Sequence, residues 1–111
     1  MTLSTMLSQV ANKYPEKTCL KYLGSRLSYS DLERLVVLTS GGLSSLGLNK
    51  NDRVAILMDN SPEYIISYFA ILRAGCIAVP VNTFLTPEEI SYIINDSSAS
   101  VLIYSDNFFL M

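Results

Sequence analysis

Apolar residues recur along the first half of the chain at helical and then at strand spacing. Leu3, Met6, Leu7 and Val10 stand at i, i+3, i+4 and i+7, which lines them along one face of a helix running from Leu3 to about Lys13. Tyr14-Pro15 ends that helix, because a residue before proline is pushed out of the helical region. Thr18 to Tyr22 and Arg26 to Tyr29 predict two short strands, with Gly24-Ser25 as the tight connection of a hairpin. Ser30, followed three residues later by Glu33, matches a capping box that opens a helix from Asp31 to about Leu46. Its buried face should hold Leu32, Leu35, Val36, Leu43 and Leu46, and Gly47 should stop it. Gly41-Gly42 weakens helix propensity in its interior, which predicts a neighbouring element in close approach.

The second half changes pattern. Val54-Ala55-Ile56-Leu57, within Arg53 to Met58, is an unbroken apolar run and predicts a strand buried on both faces of a parallel sheet. Asn60 or Ser61 should cap the next helix, Glu63 to Ala74, with Pro62 in its first turn and apolar residues nearly all round it. Cys76 to Val81 predicts a second buried strand. Thr86 then caps a helix whose first-turn Glu88 and Glu89 complement the helix dipole, with Ile90, Ile93 and Ile94 facing the core. Asn95-Asp96-Ser97-Ser98 breaks it, and Ser100 to Tyr104 predicts a third strand. The fold class is therefore α/β: a hairpin and helices over residues 1–50, leading into a βαβαβ parallel sheet over residues 51–111. Phe108-Phe109-Leu110-Met111 stays apolar to the last residue, which predicts a chain cut from a longer one and self-association through an open sheet edge or this apolar end.

Composition narrows the chemistry. At 111 residues the chain fits one small domain or part of one, and half its residues are hydrophobic, which argues for a packed core. All eight Lys and Arg lie at or before Arg73 and are scattered singly, so no basic, aromatic-interleaved surface for nucleic acid is formed. Histidine is absent, which removes Ser-His-Asp and Cys-His devices and most zinc sites. Cys19 and Cys76 stand far apart and read as small apolar residues in a reducing compartment. Met1 to Lys17 lacks the pattern of a secretory signal, and Tyr64 to Thr86, though apolar, holds Arg73, Gly75 and Pro80 and changes period; a cytoplasmic protein without a transmembrane segment is the expectation.

No Gly-rich phosphate loop of either common type is present. Asp59-Asn60-Ser61 and Asn82-Thr83 follow the first two buried strands, where open α/β sheets place ligands, yet a helix cap and a shaped loop are the better explanations. Glu88-Glu89 could serve acid–base or Mg²⁺ chemistry, but adjacent helical residues diverge by roughly 100° and dipole complementation accounts for both. Tyr64, Tyr68 and Phe69 have the spacing of core residues. The sequon at Asn95-Asp96-Ser97 reads as a helix-ending turn.

Taken in order, the segments resemble the AMP-binding, adenylate-forming superfamily of acyl-CoA synthetases, peptide-synthetase adenylation domains and luciferase-like enzymes. Leu27-Ser28-Tyr29-Ser30-Asp31-Leu32 resembles an L-[TS]-Y-x-[ED]-L phrase, and Asn51-Asp52-Arg53-Val54-Ala55 resembles G-D-R-V-A with Asn in place of the first Gly. Asn60-Ser61-Pro62-Glu63 follows as N-S-x-E. Ile71 to Asn82 is similar to L-K-A-G-x-x-x-V-P-[LI]-[ND], Leu85 to Ile90 to L-T-x-x-E-[IL], and Asn95 to Ile103 to D-S-x-A-x-V-L-I. The Asn82 ending leans toward acyl-CoA synthetases.

The resemblance implies the N-terminal part of the large domain of an AMP-forming ligase that converts ATP, a carboxylic acid and coenzyme A to acyl-CoA through an acyl-adenylate. It also implies Mg²⁺ for the parent. The family's phosphate loop ending in Pro-Lys, its Tyr-Gly-x-[ST]-Glu segment, its ribose-binding Asp and its C-terminal-domain Lys do not occur in these 111 residues. No catalytic, cofactor-binding or metal residue is therefore carried over, and the chain alone is expected to be inactive. Two alternatives stay open: a stand-alone α/β binding or assembly module, and part of a peptide-synthetase or luciferase-like enzyme.

Overall fold

The computed structural model describes residues 2–105. The apolar Phe108-Phe109-Leu110-Met111 run lies outside them. Helix α1 (Leu3–Lys13) is capped by Thr2, whose side chain accepts from the Thr5 amide, and it buries Ser4, Leu7 and Ala11. The expected face is rotated: Leu3 and Met6 remain 52% and 47% exposed, because Ser4 is drawn inward as a partner of Arg73.

Strands β1 (Thr18–Tyr22) and β2 (Ser25–Ser28) form the antiparallel hairpin, with a register irregularity between Thr18 and Leu20. The turn residues are Leu23 and Gly24, not Gly24 and Ser25; both have positive φ, 50° and 83°. A two-residue hairpin loop needs that geometry to match the strand twist.

Helix α2 (Tyr29–Ser44) begins two residues earlier than the sequence pattern suggests. Ser28 is the cap, accepting from the Asp31 amide at 3.0 Å while the Asp31 carboxylate accepts from the Ser28 amide at 3.1 Å. The box at Ser30 and Glu33 does not form, because Glu33 pairs elsewhere. Leu32, Val36, Ser40 and Leu43 are buried, whereas Leu35 is half-buried and Leu46 is 65% exposed beyond the helix end. Gly41 and Gly42 have no neighbour: a Cβ at either would meet nothing within 4 Å.

The remainder is a parallel three-stranded sheet in the order β4-β3-β5, formed by β3 (Arg53–Leu57), β4 (Ile77–Pro80) and β5 (Val101–Tyr104). β3 is central, with Ala55 opposite Val79 on one side and Leu102 on the other. Its alternate side chains enter different cores. Val54 and Ile56 pack with Ala70 and Ile71 of α3 (Pro62–Arg73), while Ala55 and Leu57 pack with Ile90 of α4 (Pro87–Asp96). The helices thus cover opposite faces, as a doubly wound sheet requires. α3 is also sandwiched from behind, where Ile65, Ile66 and Phe69 meet Leu7, Leu32 and Val36.

Asn51, with φ of 70°, takes the left-handed conformation into β3, and its amide donates to the Gly75 carbonyl at 2.8 Å. Pro80 is tolerated because β4 is an edge strand whose next residue, Val81, donates to the Ile56 carbonyl at 2.9 Å. The segment 64–86 is the body of α3, then β4 and its following loop, and among the described residues no helix is long and apolar enough to cross a membrane.

Candidate functional site

In an open parallel sheet the ligand crevice lies outside the carboxyl ends of the strands, at the point where the strand order reverses. With the order β4-β3-β5 that reversal falls between β3 and β5, and the carboxyl end of β4 adjoins it. Chain leaving β3 passes through Met58, Asp59 and Asn60 into α3, and chain leaving β4 passes through Val81, Asn82, Thr83 and Phe84 toward α4. The two segments singled out in the sequence meet beside it, in an open groove of about 580 Å³ bounded also by Tyr64 and Pro80. A second groove continues toward β5 and the hairpin, where Tyr22, Glu63, Tyr104 and Ser105 join Asp59, Asn60 and Ser61.

Several of these residues have structural work. Ser61 caps α3, accepting from the Tyr64 amide at 3.2 Å, so Asn60 is free of that role and lines both grooves. The Asn82 carboxamide oxygen accepts from the Phe84 amide at 2.9 Å, a turn that holds the loop and leaves Phe84 93% exposed at the groove rim. Tyr64 belongs both to the groove and to the core beneath it. Tyr68 and Phe69 are core residues, meeting edge to face with centroids 6.1 Å apart.

The charge of the grooves limits what they can hold. Asp59 and Glu63 line them, and no Lys or Arg does, so neither offers a cation to a phosphate. Glu89 is engaged in a box with Thr86: its amide donates to the Thr86 hydroxyl at 3.2 Å, and its carboxylate accepts from the Thr86 amide at 3.0 Å. That amide bond holds the Glu89 carboxyl below its usual range. Among the described residues no three His, Cys, Asp or Glu stand together as metal ligands. Burial pushes both thiols up, at Cys76 with help from the Asp52 charge, which keeps them protonated and weakly nucleophilic.

The strongest polar constellation lies elsewhere and escaped the sequence reading. The Arg73 guanidinium, at the end of α3, forks onto Glu33 of α2 at 2.9 and 2.8 Å, and also donates to the Ser4 hydroxyl and, at 3.1 Å, to the Ser4 carbonyl. Ser8 donates to the same Glu33 carboxylate at 3.2 Å. The guanidinium hydrogen bond holds Glu33 below the usual carboxylate range and raises Arg73 in turn. Three helices are tied at one point. The pair is 40 residues apart in sequence, a separation for which spacing gives no signal.

The phrases that carried the family resemblance fall on joints of this structure: the Ser28 cap, the Asn51 turn, the Ser61 cap, the Gly75 turn with φ of 78° and the Thr86 cap. An open α/β scaffold of this kind carries its grooves at the carboxyl ends of its strands, where such sheets place ligands. The model of the AMP-binding enzyme family matches residues 7–109, and the chain belongs to that family. A long-chain-fatty-acid–CoA ligase of Bacillus subtilis is 35% identical over 108 residues, 97% of this chain and 19% of that protein. Coronafacic acid ligase from Pectobacterium brasiliense superposes with a TM-score of 0.95 at 28% identity, over 99% of this chain and 22% of that one. The NpsA N-terminal subdomain of Klebsiella oxytoca, in complex with anthranilyl-AMSN, gives a TM-score of 0.89 at 25% identity, over 94% of this chain and 27% of that one. The chain thus spans about a fifth of the length of the Bacillus relative.

Proposed function

We propose that these 111 residues supply the opening scaffold of the large N-terminal domain of an AMP-forming acid–thiol ligase, with the hairpin and helices of 1–50 and the βαβαβ unit of 51–111 as its first layers. In the whole protein a carboxylate attacks the α-phosphate of ATP, giving an acyl-adenylate and pyrophosphate. The coenzyme A thiol then displaces AMP to form the thioester. What supports this reading is the family match across 7–109 joined to 35% identity with a protein named for fatty-acid–CoA ligation. A fatty or other carboxylic acid is the substrate class, and the cytoplasm the setting, which the unpaired Cys19 and Cys76 favour.

The grooves of this chain do not fit a triphosphate, since they present carboxylates without a cation and the sequence has no Gly-rich loop. Phosphate handling therefore falls to residues outside these 111, and no residue here is assigned a catalytic, cofactor or metal role. The test is acid-dependent pyrophosphate release with CoA-thioester formation. The longer reading frame should show both and encode a phosphate loop ending in Pro-Lys, while the 111-residue chain should show neither. Turnover by the short chain would overturn its expected inactivity, and a stop codon directly after Met111 would instead support the stand-alone module.

A peptide-synthetase-like parent is favoured by one observation, the likeness to NpsA, which also stands in an artificially fused adenylation–PCP di-domain NRPS of Klebsiella oxytoca. Transfer of the activated acid to a carrier-protein thiol and not to CoA would decide for it. We also propose weak self-association through the outer edge of β4, where Ile77 is 43% exposed. Sedimentation should show a concentration-dependent mass that Ile77→Lys abolishes; a clean monomer at high concentration excludes it.

A further inference from the structure

We draw no further inference here: the strongest candidate, the outward stripe of α2 where exposed Val37 and Leu38 adjoin the open Gly41-Gly42 step, is an unpartnered apolar helix face, and nothing in the structure shows what covers it.

Discussion

Arg73 shows how one side chain can set the geometry of three helices. Its planar fork satisfies both Glu33 oxygens at once, and its remaining donors reach Ser4 on a helix 69 residues away. Lysine, which the family phrase more often carries at this position, offers a point charge without the fork. Both partners are about one-quarter exposed, so the pair is shielded but not sealed. Arg73→Ala should lower the free energy of unfolding by about 2 kcal/mol, the range for hydrogen bonds to charged groups, with Arg73→Lys intermediate in urea denaturation. The pH dependence has a definite sign. Because the folded state depresses Glu33, its contribution is complete above the ordinary glutamate range and is lost as pH falls through the depressed value. Glu33→Gln should therefore flatten part of the acid limb of the stability curve and leave the neutral plateau lower. Only part is affected, because Asp31 and Glu89 are lowered by their capping amides and lose their contributions in the same direction. An unchanged acid limb in Glu33→Gln would show that the clamp is not formed in solution.

At the scale of elements, the sequence was most legible where one residue type had one job. Thr86-Pro87 was readable because a cap accepts few residues, and it forms as expected, while the cap of α3, left between Asn60 and Ser61 by the pattern, falls to Ser61. The start of α2, expected at Ser30, was misplaced for a physical reason. Ser28-x-x-Asp31 and Ser30-x-x-Glu33 are overlapping boxes, and the choice falls to Ser28 because Glu33 is drawn to Arg73, a contact no local pattern announces. Ser28→Ala should cost about 1 kcal/mol, the usual value of a cap, while Ser30→Ala should change the thermal midpoint little. Comparable losses from both would put the helix start at Ser30 after all. Gly41-Gly42 misled for a different reason: glycine inside a helix usually signals contact, yet here both face open space. Gly42→Ala should accordingly raise stability by roughly 0.5–1 kcal/mol, the intrinsic preference of alanine in a helix interior. A destabilised Gly42→Ala protein would mean that something packs on that face.

Across the whole molecule, the unbroken apolar run of β3 predicted a doubly covered strand, and the two cores on its faces follow from it. What the run could not show is that the cores are unequal. On one face α3 is held from both sides, by Val54 and Ile56 of the sheet and by Leu7, Leu32 and Val36 of the first two helices. On the other, α4 contributes a single fully buried residue, Ile90, with Ile93 and Ile94 half-covered and Tyr92 68% exposed. Local stability tracks the apolar surface an element buries, so the two helices should not open together. Native-state hydrogen exchange at low urea is expected to show the backbone amides of α4 that follow Pro87 exchanging through a partial opening that leaves β3 and α3 protected to near the global limit. Ile90→Ala should increase the population of that opening far more than it accelerates exchange in α3, because the cavity it leaves lies on the thin side of the sheet. Equal protection of α4 and β3 would instead make the sheet and both its helices one cooperative unit, and Ile90→Ala would then lower the protection of all three by the same factor.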